Sequence, residues 1–262
     1  MQNVMEMFRL DGKVAVVTGG SGKYGRQMVL ALAQAGARVC IASRNAEANR
    51  AYADELTAQG LDVFCEALDQ GDQDSIAEFV RRMQAQCGHV DVLVNNAVFR
   101  GMRDDEDWEG FTTSLRVNGV GMSDLTVKIA KLMAANGGGS IINVGSYMGI
   151  LGADDTLYRE TEMGQVQDMA PDYFYHKGGM ANYTRFMASK FGPRGVRVNV
   201  IELGGLFNNQ PELFVRRYSD RTFLKRMACH TDVMGAVVWL ASDASAYVTG
   251  ASIPIDGGYS AK

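Results

Sequence analysis

The 262-residue sequence lacks the features that mark membrane, secreted or nucleic-acid-binding proteins. No stretch approaches the roughly 20 apolar residues that a membrane-spanning helix needs, and the N-terminal MQNVMEMFRL has no basic region followed by an apolar run. The net charge is −4, from 26 basic and 30 acidic residues, so no surface for nucleic acid or for anionic membranes is expected. These absences favour a cytoplasmic protein whose partner is a small molecule.

Cysteine is scarce and widely spaced. The four cysteines, Cys40, Cys65, Cys87 and Cys229, form no C-x-x-C pair. Neither a disulfide framework nor a zinc site is therefore predicted, and no other metal site is expected. We expect all four cysteines to be reduced, with Cys40 in the core.

Linkers and low-complexity segments are absent too, and a chain that is 47% hydrophobic can bury a full core, which favours one domain over residues 1–262. Strand and helix patterns alternate along it. Strands are predicted at 13–18, 38–43, 61–68, 90–97, 140–146, 196–203 and 252–256, and helices at 27–36, 46–59, 72–87, 111–135, 172–191 and 232–242. This alternation predicts an α/β fold with a doubly wound, Rossmann-like parallel sheet in three layers, whose ligands bind beyond the carboxyl ends of the strands.

The stretch VVTGGSGKYGR at 16–26 follows the first predicted strand and precedes a helix. A Walker A loop is excluded, because Tyr24 stands where such a loop needs Ser or Thr. Gly20, Gly22 and Gly25 fit the dinucleotide pattern G-x-G-x-x-G, in which a tight turn admits a pyrophosphate to the start of a helix. A glycine-rich turn without a ligand is the alternative.

The residues after the second and third strands bear on the choice of cofactor. Ser43 and Arg44 stand where an acidic residue would hold the ribose of NAD. A hydroxyl and a guanidinium can both bind a 2′-phosphate, so NADP(H) is favoured over NAD(H), unless Arg44 is only a solvated loop residue. Asp69 is expected either to accept from the adenine amino group or to cap the following helix.

A tyrosine and a lysine follow the predicted strand that ends at Ser146. Tyr173 and Lys177 are four residues apart on a predicted helix, so their side chains share a face. A neighbouring ammonium stabilises a phenolate, the form in which tyrosine acts as a base. Ser146 would then hold the oxygen of the reacting carbonyl or hydroxyl group. This arrangement predicts an acid/base site.

Further motifs accompany this pair, and together they resemble the classical short-chain dehydrogenase/reductase family over nearly the whole chain. The motifs are TGGSGKYG (18–25), NNA (95–97), LRVNGVG around Asn118, INVGS (142–146), RVNVI (197–201), ASDASAYVTG (241–250) and DGG (256–258). The resemblance implies a single Rossmann-like domain, an NAD(P)(H) cofactor and homotetramers formed through the helices of Asn118 and Tyr173 and the C-terminal strand.

The resemblance also implies roles for individual residues. Tyr173 would be the acid/base, Lys177 would assist it and bind the nicotinamide ribose, Ser146 would position the substrate, and Asn118 would hold a water in a proton relay to Lys177. The residues expected at the cofactor are Gly19, Ser21, Gly22, Lys23, Tyr24, Gly25, Ser43, Arg44, Asp69, Asn95, Ala97, Gly204 and Leu206.

Three positions depart from the family pattern. Lys23 replaces a glycine of the loop, Val98 replaces a glycine after NNA, and Leu203 replaces a proline after the sixth strand. Lys23 could crowd the cofactor, but pairing of its ammonium with a phosphate is the favoured interpretation. These departures affect the expected cofactor affinity and the nicotinamide pocket, whereas the catalytic residues are all present.

Two long segments are expected to shape the substrate pocket. The insertion 149–172 is rich in acidic residues, which suits a polyhydroxylated substrate, although a solvated loop or a subunit contact is an open alternative. The lid 204–229 is rich in basic residues, one of which could bind an anionic group of the substrate. Its GGLFNNQP segment resembles family members of bacterial sugar modification, including those for flagellin-type nonulosonic acids.

The sequence therefore predicts an NADP(H)-dependent oxidoreductase that interconverts a secondary alcohol and a ketone on a sugar-like or polyol substrate. Two other hypotheses stay open. One is a cofactor-binding but catalytically idle protein, motivated by Lys23, Val98 and Leu203. The other is a reductase of acyl or aromatic carbonyls, for which the acidic insertion would be an unsuitable cover.

Overall fold

A seven-stranded parallel sheet forms the centre of the protein, in the order β3-β2-β1-β4-β5-β6-β7. The computed structural model describes residues 3–166 and 169–261. The strands are β1 (Val14–Thr18), β2 (Arg38–Ser43), β3 (Val63–Ala67), β4 (Val92–Asn95), β5 (Gly139–Val144), β6 (Val196–Leu203) and β7 (Ser252–Ile255). The predicted doubly wound fold is confirmed.

Helices cover both faces of the sheet. They are α1 (Lys23–Gln34), α2 (Ala46–Thr57), α3 (Gln73–Cys87), α4 (Trp108–Ser114), α5 (Met122–Ala135), α6 (Asp172–Phe191), α7 (Glu212–Arg221) and α8 (Met234–Ala241). One face packs against α1, α2 and α8, and the other against α3, α5 and α6. No helix within the described residues is both long and apolar enough to cross a membrane.

The central strand β1 shows why the sheet is buried on both sides. Its residues alternate between the two cores, with Ala15 and Val17 in one and Val14 and Val16 in the other. A continuous apolar run of this kind is typical of a parallel strand covered by helices on both faces. Because β1 lies between β2 and β4, the strand order reverses beside it, which opens a crevice at the carboxyl ends of the strands.

Most predicted elements lie within a few residues of those observed, and two differ in an informative way. The first helix begins at Lys23 rather than at residue 27, because the glycine turn leads directly into its first turn, with Gly22 as N-cap. Helix α7 lies within the lid 204–229 and was not predicted. Its buried residues Phe214 and Tyr218 are four apart, a helical spacing that was present in the sequence.

The long helix predicted at 111–135 contains an irregularity. Helix α4 continues into a π-helical segment, Leu115–Gly121, before α5 begins. Such segments widen a helix locally and often occur at functional sites. Asn118 lies in this segment and is buried.

Candidate active site

A cleft of about 880 Å³ lies at the carboxyl ends of the strands, a size typical of small-molecule and cofactor sites. Most of the predicted site residues line it: Gly19, Ser21, Gly22, Lys23, Tyr24, Gly25, Ser43, Arg44, Asp69, Ala97, Ser146, Tyr173, Lys177, Gly204 and Leu206. Asn95 and Asn118 stand behind its wall. The cleft therefore joins the glycine turn to the Tyr173 end of the molecule.

The glycine turn is compact because backbone packs on backbone. Gly19 has a φ of 63°, a left-handed conformation that favours glycine. A Cβ on Gly25 would lie 2.3 Å from the carbonyl oxygen of Gly19, so the first turn of α1 can approach the loop only without a side chain there. No side chain caps α1, which leaves its first amides directed at the cleft as donors for an anion.

Tyr24 connects the glycine turn to the end of β6. Its hydroxyl donates to the carbonyl oxygen of Gly204 at 3.0 Å. Burial raises the pKa of Tyr24, so the hydroxyl stays protonated and keeps its donor role at neutral pH. This hydrogen bond therefore joins the glycine turn to the start of the lid 204–229.

Arg44 and Lys23 are exposed cations on the wall of the cleft, and neither forms an ion pair with a described residue. Ser43 is different, since its hydroxyl lies 2.8 Å from Oδ1 of Asn49, which is only an acceptor. Ser21 donates to the same oxygen at 2.9 Å. The Ser43 hydroxyl is thus occupied within the protein, and the expected contact to a 2′-phosphate falls to Arg44 alone.

The two alternatives for Asp69 are distinguished by the start of α3. The N-cap of α3 is Asp72, whose side chain accepts from Asp74 N and Ser75 N. Capping by Asp69 is therefore wrong. Asp69 lines the cleft, and its Oδ1 accepts from Gly71 N at 2.8 Å within the turn.

The two asparagines of the NNA motif have different positions and hydrogen-bond partners. Asn95 is buried, and its Nδ2 donates to Thr126 Oγ1 and Asn143 Oδ1, so it joins β4 to α5 and β5 rather than lining the cleft. Asn96, which the sequence analysis did not select, lines the cleft and donates to the carbonyl oxygens of Thr18 and Gly19. The motif marked this pair of asparagines as part of the site, but it did not indicate which of the two lines the cleft.

Tyr173, Lys177 and Ser146 come together at one end of the cleft, as the helical spacing predicted. Lys177 is buried, its Nζ donates to the carbonyl oxygen of Val144 at 2.5 Å, and it lies 5.7 Å from the centroid of the Tyr173 ring. Burial, with a smaller contribution from the charge of Arg100, lowers the pKa of Lys177 to about 8. A lysine that exchanges its proton near neutral pH is suited to proton transfer.

A buried carboxyl group lies directly behind Ser146. Glu202 Oε2 accepts from the backbone N–H of Ser146 at 2.8 Å, and Oε1 accepts from Ser252 Oγ at 3.0 Å. Burial raises the pKa of Glu202, which the positive charge of Lys177 opposes. A Cβ at Gly145 would lie 2.0 Å from Oε2, so Glu202 fits only over a glycine. No pattern in the sequence indicated this contact between Glu202 of β6 and Ser146, which follows β5.

Asn118 is bound to the loop after β4. Its side chain accepts from Phe99 N at 2.7 Å and donates to Phe99 O at 2.8 Å, and Nδ2 also donates to Ser114 Oγ at 3.0 Å. Ser114 in turn donates to the carboxylate of the buried Asp172, the residue before Tyr173. The amide of Asn118 thus joins the Phe99 backbone to the start of α6.

Aromatic residues from the insertion and the lid form the far wall of the cleft. Tyr147, Tyr158, Phe214 and Tyr218 line it and pack into a separate buried cluster with Leu157, Met227 and Tyr259. Insertion and lid are the two segments that supply most of this cluster. Its ring pairs include Tyr158 with Phe214, whose centroids are 5.3 Å apart.

None of the described charged side chains of the insertion or the lid lines the cleft. Asp154 pairs with Arg221 at 2.5 Å and Glu160 with Arg217 at 3.0 Å, which joins the two segments to each other. The remaining insertion carboxylates either pair locally (Asp155), bind Ser114 (Asp172) or are exposed (Glu162), and Asp168 lies outside the described residues. No basic side chain of the lid lines the cleft. Among the described residues, both charge-based expectations for substrate contact are therefore wrong.

Comparison with known proteins agrees with this architecture. A family model described as enoyl-(acyl carrier protein) reductase matches residues 24–260. The chain is 31% identical to 2-dehydro-3-deoxy-D-gluconate 5-dehydrogenase of Escherichia coli over 99% of its own length and 100% of that protein's. It is 32% identical to D-threitol dehydrogenase of Mycolicibacterium smegmatis, with 97% and 95% covered.

A solved structure also resembles the protein over nearly its whole length. The gluconate 5-dehydrogenase of Burkholderia cenocepacia, crystallised with NADP and tartrate, superposes with a TM-score of 0.87 at 26% identity, covering 99% of this chain and 100% of that chain. The likeness extends over the full sheet and both helical layers.

The buried ammonium of Lys177 gives a prediction for stability. Its pKa is about 8 when folded, against an ordinary 10.5, so its contribution to stability is present above pH 10.5 and is lost as the pH falls to 8. Between pH 10.5 and pH 7, wild type should therefore lose up to about 3 kcal/mol of unfolding free energy relative to Lys177→Met. Urea unfolding at several pH values measures this difference.

The matched control is Lys131→Met, which removes an exposed lysine of α5. Its unfolding free energy should differ from that of wild type by a constant amount across the same pH range. A pH-independent difference between wild type and Lys177→Met would contradict the lowered pKa.

Proposed function

Because the chain belongs to the classical short-chain dehydrogenase/reductase family and is an NAD(P)-dependent oxidoreductase of alcohol or ketone groups, we propose that it uses NADP(H) to interconvert a secondary alcohol and a ketone on a sugar-like substrate. The observation that carries the proposal is the single cleft that joins the glycine turn and Arg44 to Ser146, Tyr173 and Lys177.

The residues present fit a dinucleotide. The glycine turn leaves room where side chains would stand, and within 4 Å a Cβ on Gly22 would meet only the carbonyl oxygen of Gly19. The first amides of α1 and the ammonium of Lys23 would hold the phosphates, Arg44 the 2′-phosphate, and Asp69 the adenine amino group. When bound, the nicotinamide supplies or accepts the hydride at the reacting carbon.

The chain's own residues manage the proton and the substrate oxygen. In alcohol oxidation, Tyr173 Oη takes the proton of the substrate hydroxyl, and in ketone reduction it returns one to the same oxygen. Ser146 Oγ donates to that oxygen and fixes its position. Lys177 assists this transfer through the positive charge of its ammonium, 5.7 Å from the centroid of the Tyr173 ring. Asn118 keeps the Phe99 loop and the start of α6 in place through Ser114 and Asp172.

A sugar-like substrate is supported by the far wall and by the relatives. Tyr147 and Tyr158 bring aromatic rings and hydroxyl groups to the wall of the cleft, a combination that suits the alternating apolar and polar faces of a sugar. Relatives of similar length carry the names of dehydrogenases of a gluconate derivative and of threitol. The departures from the family pattern are compatible with activity, since Lys23 and Val98 are exposed on the wall and Leu203 belongs to the core of β6.

The acid/base assignment predicts the effect of Tyr173→Phe. Removal of the hydroxyl should lower kcat by at least about 1,000-fold, because this hydroxyl is the group assigned to exchange the proton at the substrate oxygen. NADPH affinity, measured by fluorescence titration, should change less than twofold. Tyr175→Phe, an exposed tyrosine of the same helix, is the matched control. Ordinary turnover by Tyr173→Phe would refute the assignment.

The role of Arg44 predicts a cofactor preference. Wild type should bind NADPH at least about tenfold more tightly than NADH, since a charge-assisted hydrogen bond to the 2′-phosphate exists only with the former. Arg44→Met should remove this preference, and Arg50→Met, an exposed arginine of α2, should keep it. The dissociation constants for NADPH and for NADH, measured for wild type and for each variant, test this prediction. Equal affinity of wild type for both cofactors would overturn the argument.

The proposal includes a homotetramer. Large apolar side chains are exposed on α4, the π-helical segment and α6, namely Trp108, Val120, Tyr175 and Phe186. Such a face is the kind that subunit contact covers. Light scattering should give the mass of four chains, and Phe186→Glu should shift it to smaller species, whereas Met5→Glu, outside this face, should not. A monomeric wild type would contradict the tetramer.

A further inference from the structure

The Tyr173 end of the cleft contains a guanidinium that has no ion-pair partner among the described residues. Arg100 follows β4, lines the cleft, and places its Cζ 4.0 Å from the centroid of the Tyr173 ring. It forms no ion pair with any residue that the structure describes. By contrast, Arg103 in the same loop forms an ion pair with Asp107 at a distance of 3.1 Å.

No carboxylate lines the cleft beside Arg100, and the buried Asp172 and Glu202 are hydrogen-bonded to Ser114 and to Ser146. Among the described residues that line the cleft, Asp69 is the only acid, and it follows β3, at the far side of the sheet from β4 and β5. The insertion carboxylates Asp154 and Glu160 are held by lid arginines. The nearest other charge on the wall is the ammonium of Lys177, which has the same sign.

The backbone that leads to Arg100 is restrained at the preceding residue. Asn118 holds both the N–H and the carbonyl oxygen of Phe99, and through Ser114 it is joined to Asp172, the residue before Tyr173. The backbone before Arg100 and the residue before Tyr173 are therefore joined by one chain of hydrogen bonds. A side chain whose backbone is restrained in this way loses less entropy when it binds a ligand.

We infer that Arg100 binds a carboxylate of the substrate, and that the enzyme acts on hydroxy acids of the sugar-acid type rather than on neutral polyols. The planar fork of a guanidinium matches a carboxylate with two parallel hydrogen bonds, and stacking on Tyr173 leaves its edge free to make them. Binding there places the anion beside the acid/base group, between two positive charges. This inference rests on the proposed function and names its substrate class.

Binding of a matched pair of ligands tests the inference without turnover. Tartrate and threitol of the same configuration have the same four-carbon chain and central hydroxyls, but differ in carboxylate or hydroxymethyl ends. Calorimetric titration into the NADP⁺-saturated protein should show tartrate bound at least about tenfold more tightly, as expected for a charge-assisted pair. Arg100→Met should remove that difference and leave threitol binding within twofold of wild type.

Two further variants complete the test. Arg216→Met, an exposed lid arginine that does not line the cleft, should retain the preference for tartrate, and Arg100→Lys should retain part of it. Failure of wild type to bind tartrate more tightly than threitol, or an equal loss of both ligands in Arg100→Met, would overturn the inference.

Kinetics separate this inference from the proposed function. Gluconate and glucitol form a second pair that differs at one end only, and the inference predicts a higher kcat/KM for gluconate in wild type and a loss through KM in Arg100→Met. In Tyr173→Phe, the preference for tartrate should persist while turnover disappears. Retained turnover in Tyr173→Phe would refute the acid/base role of Tyr173 but not the role of Arg100. A missing preference for tartrate in wild type would refute the role of Arg100 but not the acid/base role of Tyr173.

Discussion

The site depends on one buried hydrogen bond, between the ammonium of Lys177 and the carbonyl oxygen of Val144. A buried cation is costly unless its donors are satisfied, so α6 must lie where Lys177 reaches the end of β5. That placement brings Tyr173, one turn earlier on α6, to Ser146, two residues beyond Val144. Gly149 permits it, because a Cβ there would lie 2.5 Å from the carbonyl oxygen of Lys177.

Glu202 balances this arrangement from the opposite side of Ser146. An N–H bond to Ser146 and a hydroxyl bond from Ser252 satisfy the carboxyl group, and the positive charge of Lys177 favours its ionised form. The bond from Ser146 N to Glu202 restrains the backbone that carries the Ser146 hydroxyl. Gly145 and Glu202 form a matched pair, since the carboxyl group occupies the space that a side chain at residue 145 would need. The position of the Ser146 backbone therefore depends partly on Glu202, a residue that does not line the cleft.

Local patterns allowed the fold and the centre of the site to be predicted from the sequence. The glycine turn and the Tyr173/Lys177 spacing depend on residues close together in the chain, and α6 has the predicted ends. Contacts between distant segments were not accessible in this way. Asn49, which takes the hydroxyl of Ser43, and Glu202, which holds Ser146, are chosen by tertiary packing. The count of acidic residues in the insertion likewise gave no sign that their partners are arginines near residue 220.

The far wall of the cleft shows which force determines its shape. The ion pairs between insertion and lid involve partly exposed side chains, and pairs of that kind contribute only about 0–1 kcal/mol each. Leu157, Phe214 and Tyr218 are nearly inaccessible to solvent, and burial of one such side chain contributes roughly 1.5–3 kcal/mol. The aromatic cluster therefore fixes the insertion on the lid, and the ion pairs mainly remove carboxylates from the vicinity of the cleft. Those acids are paired with lid arginines, and Arg100, over the Tyr173 ring, forms no ion pair with a described residue.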